Sequence, residues 1–560
     1  MKSRSLKVPI KNKEIILHPD YSCISKIIEE NMRILNNNNI KIFHKSFNSL
    51  RNRYRIDLIK KTLSFTDIIT PSRLPFSEKS VDCIIMTGHQ PEFYHPGIWI
   101  KNILLNQIIK ENSSKNIFGI NLNLDNDVVN PVSIYYPAIN TEIDNNIQKN
   151  SSDISLRKHI LSINNNEIPL QELQIPSKEM LLNVLKKINK SIQFLPDNTY
   201  QNYNVFSNCF KNAYKICKST PAMNQLGIFM TTCRRLYEST INPQYYDLPY
   251  SFISNHDSLL LFFLEIVFNI EYFSYIYNKS LHEYRLAHKI KNAANPLPNL
   301  STDNNRIETP FWIWKRGERS ERKKIFIKKQ NGSIFIEDIY GDNIALFSII
   351  NGKEDTVFTK FKKHIQENNY ILYPRAIILT LFNRLFGADL FIHGIGGSKY
   401  DCITDDIIQK YFKIIPPRFL TISATFLLDL PVKTTTIEAI SVLEKKKRTI
   451  QYNPEKIIDE ANLPEEKNQM INKLIKEKHD LIKIIQNTPS NQKYIVSKKI
   501  NEINKNITEI LSDYEKYISG KIEDSKKFIE NDKVSQFRKF PYFFFNGNKI
   551  AEELIKKTKK

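Results

Sequence analysis

No apolar stretch in this chain is long enough to cross a bilayer. The longest, Leu259 to Phe268, is interrupted by Glu265 and has about half the length that a membrane-spanning helix needs. The first twenty residues alternate charge with short apolar pieces and lack the apolar centre of a secretory signal, so the expected compartment is the cytoplasm, with no membrane partner. The six cysteines (23, 83, 209, 217, 233 and 402) include no CxxC pair, which argues against a structural zinc site and a disulfide framework. HExxH-type spacing is also missing, and no third ligand accompanies His89 and His95, so no metal is expected. No Ser/His/Asp or Cys/His nucleophile can be assigned, and Cys402 reads as a packing residue.

What the chain has in quantity is Ile, Asn, Lys and Phe. With 560 residues, 41% apolar content and 33 Phe it is globular, and too long for one ordinary core. The net charge of +22 admits a polyanionic partner. The competing explanation is an A+T-rich coding bias that writes basic residues as Lys. One cluster exceeds that bias: residues 315 to 329 hold eight Lys/Arg against Glu318 and Glu321, and read as a solvated basic hairpin turning at Gln330-Asn331-Gly332.

The expected architecture is α/β, a doubly wound core with insertions. Residues 1–75 form an N-terminal extension and 76–131 the first half of the core, with a strand at Val81 to Met86, a loop at 87 to 97, a helix at Ile98 to Ile109 and a strand at Ile117 to Leu124. An inserted region (132–220), a core segment (221–269) and a second insertion (270–370) follow. The second half of the core occupies 371–440. Apolar spacings of four and three, as in Val496, Ile500, Ile503 and Ile507, then predict an antiparallel helical coiled coil over 441–535, broken at Asn487 to Asn491. Residues 536–560 are expected to be a tail.

Two segments carry candidate chemistry. In Phe391-Ile-His-Gly-Ile-Gly-Gly-Ser-Lys-Tyr-Asp401, Gly394, Gly396 and Gly397 let backbone N–H groups approach an anion closely or adopt φ > 0. His393, Ser398, Lys399 and Tyr400 stand beside them, although the full phosphate-loop pattern is absent. Thr87-Gly-His-Gln-Pro-Glu-Phe-Tyr-His-Pro-Gly97 is expected to open onto a helix N-terminus. There Gly88, His89, Gln90 and His95 can meet phosphate, with Lys101 one turn into the helix. A plain turn shaped by Pro91, Pro96 and Gly97 is the alternative. Asp125 and Asp127 end the second strand, where they can hold Mg²⁺, an ammonium group or ribose hydroxyls, or simply make a turn. Arg375, Arg384 and Arg418 bracket the later segment as carboxylate clamps or surface charges.

At these segments the chain resembles the bacillithiol-synthesis cysteine-adding ligase family. Thr87-Gly88-His89-Gln90 and Lys101 match its T-G-Q-Q-x-G-L-like loop and helix lysine, and Asp125-Asn126-Asp127 its acidic strand end. Phe391 to Tyr400 lies without gaps on its Y-V-G-G-P-G-E-I-A-Y run, and Pro417-Arg418 on a P-R pair opening the next strand. The family's glutamate falls on Gly397, Lys399 stands at a small residue and His89 at a glutamine, so charge is altered. The wording looks closer to a branch with G-H-Q-P-E, H-P-G and F-I-H-G-I-G-G motifs. The resemblance implies a Rossmann-like core similar to class I aminoacyl-tRNA synthetases, a coiled coil and a homodimer. It also implies amide formation between cysteine and a small-molecule glucosaminyl malate, with a nucleotide, ATP or ADP, near the core. Catalysis would then fall to His89, His95 and Lys399. A nucleic-acid-binding or scaffold protein with a degenerate core is the alternative reading.

Overall fold

The computed structural model describes residues 6–71, 81–113, 115–139, 154–163, 167–317, 321–348, 353–431 and 435–559. Its centre is a six-stranded sheet of β1 (Glu14–His18), β2 (Cys83–His89), β3 (Ile117–Asn123), β4 (Tyr246–Pro249), β5 (Leu390–His393) and β6 (Phe419–Thr425). The spatial order is β1-β6-β5-β2-β3-β4. All pairs from β6 to β4 are parallel, and only the edge strand β1 runs antiparallel, on β6. Ile84, Ile85 and Met86 are fully buried, as expected of a strand covered on both faces. The strand order reverses between β2 and β5. At such a switch point, α/β sheets as a class bind ligands in a crevice at the carboxyl ends of the strands.

Three helices position the site. α1 (Pro96–Glu111) returns from β2, α2 (Leu226–Glu238) precedes β4, and α3 (Ile395–Lys410) follows β5 directly. Sequence pattern places α1 well. The spacing of apolar residues predicts the helix after β5 only over Thr404 to Phe412; α3 begins nine residues earlier, because Gly396, Gly397 and Ser398 read as loop yet form the first helical turn.

The N-terminal extension belongs to the core, since β1 closes the sheet and the Phe47–Ile69 helix anchors Asp389 through Arg51 and Arg55. The basic hairpin, Lys323–Gln330 with Ser333–Asp338, sits inside a six-stranded antiparallel sheet completed by Thr302–Asp303, Arg306–Lys315, Asn343–Ser348 and Tyr370–Pro374. It is not a free cationic arm. Lys323 pairs with Asp338, Lys324 with Glu308, Lys329 with Glu271 and Arg322 with Asp127.

The C-terminal helices Glu465–Gln486 and Lys493–Ile510 pack as a pair around the expected break, and Ile437–Tyr452 packs with Ser512–Ser535. They enclose their own apolar cluster of Ile450, Ile471, Ile503, Ile507 and Ile518. The segment expected to be a tail is core. Phe540, Tyr542, Phe543 and Phe544 are buried, Tyr542 N–H donates to the Tyr94 carbonyl at 2.9 Å, and the Gly547–Thr558 helix packs on α1. No single helix among the described residues is long and apolar enough to cross a membrane.

Candidate functional site

Ile392 of β5 lies opposite Thr87 of β2, and the Thr87 hydroxyl donates to the Ile392 carbonyl at 3.0 Å. Gly88 and His393 are therefore the next residues outward on adjacent strands, and the two glycine-containing segments leave the sheet side by side. Gly88 and His89 still belong to β2. The chain then crosses the sheet edge as Gln90 to His95 before entering α1.

Lys101 projects from α1 to the end of β2, where its Nζ donates to the Gly88 carbonyl at 2.6 Å. It is 4% exposed, and no carboxylate pairs with it among the described residues. Burial pushes its amine down to about 7. His89 Nδ1 is 3.0 Å from the Gln90 carbonyl, which fixes the proton on Nδ1 and leaves Nε2 as an acceptor. Burial, then the charges of Lys101 and His95, push its imidazole down to about 3. A neutral imidazole so oriented offers Nε2 as a hydrogen-bond acceptor. His95 caps α1, its Nδ1 accepting from Gly97 N–H at 3.0 Å, and burial with Arg538 and Lys539 nearby lowers it to about 4. Gly97 is obligatory there, because a Cβ would meet the Ala424 carbonyl oxygen at 2.4 Å.

On the β5 side, Gly394 is the N-cap of α3 at φ −82° and offers no capping side chain. The glycines of this run do not serve positive φ; the described glycines that do are Gly317, Gly332 and Gly341. They leave room instead. A Cβ at Gly394 or Gly396 would meet nothing within 4 Å, so the first turn of α3 is open. Gly397 differs, since its Cβ would lie 2.9 Å from His393 Nδ1. His393 is itself buried between the Phe391 and Phe419 rings, with Nε2 2.7 Å from Asp401 Oδ2. Arg384 donates to the same oxygen at 3.1 Å and Thr404 to the other. Burial opposes ionisation of Asp401, yet His393 and Arg384 hold its carboxyl below the usual range.

A third group of residues borders the end of β3. Asp125 is fully buried and accepts from both the N–H and the hydroxyl of Ser251; burial still pushes its carboxyl up to about 6. Asp127 accepts from Gln90 Nε2 at 2.7 Å and from Arg322 at 3.0 Å. Arg322 and Arg375 both lie over the Trp312 ring, and Arg375 donates to Glu308 at 2.6 Å. The antiparallel sheet thus covers the acidic loop with arginine.

Of the residues singled out from sequence, Gly88, His89, Gln90, Lys101, His393, Gly394, Gly396 and Gly397 share the β2–β5 edge, and Asp125 and Asp127 stand beside it on β3. Arg418 does not join them. It precedes β6 and pairs with Glu30 at 3.2 Å, towards the amino ends of the strands. Arg384 is held by Asp401, Asp405 and the Pro417 carbonyl, so it is no substrate clamp. Lys399 is exposed and makes no side-chain bond among the described residues, Tyr400 is half-buried, and the Ser398 hydroxyl donates to the Ile395 carbonyl. Asp401, Arg322 and Ser251 escaped sequence reasoning. So did a buried network in which Arg234 pairs with Asp247 and Glu238 while Asn121 and Asn123 donate to Asp247. The polar Asn-Leu-Asn ending of an otherwise apolar strand was its signal. No group of three metal-ligating side chains occurs among the described residues. No protein-family model and no curated protein matches the chain.

Proposed function

We propose that this protein is a nucleotide-linked ligase that joins an amine, cysteine or a relative of it, to a carboxylate-bearing small molecule. Its core is read as Rossmann-like and akin to that of the bacillithiol cysteine-adding enzymes. The observation that carries the reading is a buried, carboxylate-free Lys101 at the carboxyl end of β2, beside the open, uncapped first turn of α3 at the end of β5. Both elements favour an anion in a crevice formed by strand-order reversal. Lys101 and the unpaired N–H groups of the first turn of α3 are donors of the kind that would hold the phosphates of ATP or ADP, and bound ATP would supply activation of the carboxylate.

Lys101 would gain a proton as the anion arrives, offsetting developing negative charge without a competing carboxylate. The N–H groups of α3 would orient the same group. Asp125 and Asp127 would hold the incoming ammonium, and Asp125, raised to about 6, would take a proton released as the amide forms. The paired C-terminal helices would act as a coiled coil in a cytoplasmic homodimer. Against the nucleic-acid reading, four cations of the basic hairpin already pair with carboxylates.

The test is a thermal-shift panel of ATP, ADP, cysteine and glucosaminyl malate on the full chain and on Lys101→Met. A nucleotide at about 100 times its Kd should add about 2.7 kcal/mol of stability to the parent and far less to the variant. No stabilisation by any nucleotide sinks the proposal.

A further inference from the structure

Away from the crevice, helices Lys178–Ser191 and Asp197–Ser219 form an antiparallel pair that closes on Leu185, Ile188 and Ile192 near its turn. Towards the other end it leaves a groove of about 630 Å³. Its floor is apolar, with Leu181 and Phe210 buried and Leu182 40% exposed, and Tyr214 stands at its side. Lys178, Lys211 and Lys215 form the rim, and among the described residues no acidic side chain lines it. The surrounding sequence deepens this charge: residues 178 to 219 contain seven lysines against Glu179 and Asp197.

The spacing of that charge identifies the occupant. Lys211 and Lys215 are four apart on one helix and Lys218 follows three later, a like-charge ladder that weakens an isolated helix. Lysine contributes single point charges here, not the planar fork that would grip one headgroup. Negative charges repeated once per helical turn answer such a ladder, and an apolar stripe between them answers the floor.

We propose that this groove docks an acidic amphipathic helix supplied by a partner protein. Its leucine-type face would lie over Leu181, Leu182 and Phe210, with its carboxylates towards Lys178, Lys211 and Lys215.

The experiment uses the full-length protein and a fluorescein-labelled 18-residue designed peptide with leucines at i, i+3, i+4 and i+7 and glutamates flanking them. Its comparison is the same peptide with lysine for glutamate. Anisotropy should report saturable one-to-one binding of the acidic peptide only. Lys211→Glu with Lys215→Glu should weaken it at least tenfold, and Leu182→Glu, at an exposed position, should do the same. Lys467→Glu with Lys473→Glu, on the distant helix pair, should leave it unchanged. Equal loss in that control pair, or no loss in the groove variants, overturns the proposal. So does tighter retention of the protein by vesicles of phosphatidylglycerol or by heparin that depends on the same lysines.

Discussion

The imidazole of His393 occupies the space that any side chain at position 397 would need, with Nδ1 2.9 Å from where a Cβ on Gly397 would stand. A side chain at 397 therefore requires the His393 ring to move, and that ring is held in place by Asp401, one turn further along α3, at 2.7 Å from its Nε2.

Gly397→Ala should cost about 1–3 kcal/mol, the usual penalty for forcing an atom into packed space. Gly396→Ala, one residue earlier and facing open space, should be neutral or gain up to about 1 kcal/mol from helix propensity. Denaturant midpoints of the two variants against the parent measure the difference. Equal effects would show that the ring of His393 yields freely.

Lys101 ties stability to pH. Its amine sits at about 7 when folded and near 10.5 when unfolded, so between these values the unfolded chain binds more protons and folding strengthens as pH rises. Below pH 7 the burial cost is fully present, on the order of a few kcal/mol. Lys101→Met should therefore be more stable than the parent at pH 6.5, with the gap shrinking towards pH 10. Parallel melting curves across that range report it, and a gap independent of pH would refute the assignment.

Tyr542 packs against Trp99, Tyr94 and Tyr237, and its hydroxyl is buried with no hydrogen-bond partner among the described residues. Tyr542→Phe should be neutral or slightly stabilising, because a stranded hydroxyl is removed. Tyr542→Ala should cost about 3–5 kcal/mol as a cavity opens beneath α1. Thermal melts of both variants separate the ring from the hydroxyl.

The paired state of the basic hairpin predicts little freedom to bind polyanions. Lys323→Gln with Lys329→Gln should leave the salt concentration for elution from heparin within experimental error of the parent. An earlier elution by tens of millimolar would return the nucleic-acid reading to consideration.

Much of the core was legible in the sequence because its strands are buried on both faces and stand out as apolar runs between turn residues, as Ile84 to Met86 do. The helix break near Asn487 was legible for the same reason, since Pro489 and its polar neighbours interrupt a regular spacing. α3 was not, because Gly396 and Gly397 lower helix propensity and only the fit of His393 against them explains their presence. Nor was the role of the final segment. The run Phe540 to Phe545 signals burial plainly, but which surface it covers depends on contacts with residues as remote in the chain as Tyr94, Trp99, Phe206 and Tyr237. The histidines were visible as a pair, whereas their opposite tautomers follow from the Gln90 carbonyl and the Gly97 N–H, which no spacing rule supplies.

The two strands that flank the crevice are neighbours in space but about 300 residues apart in the chain, so at about 5–20 residues per second a ribosome needs roughly 15–60 s to supply the second after the first. Through that interval β2, which pairs with β3 on one side, presents an unpaired apolar edge on the side that β5 will take. An exposed edge of that kind recruits other strands unless something shields it. The nascent chain is therefore a natural client for chaperones, and productive synthesis should depend on them far more than the stability of the finished sheet would indicate.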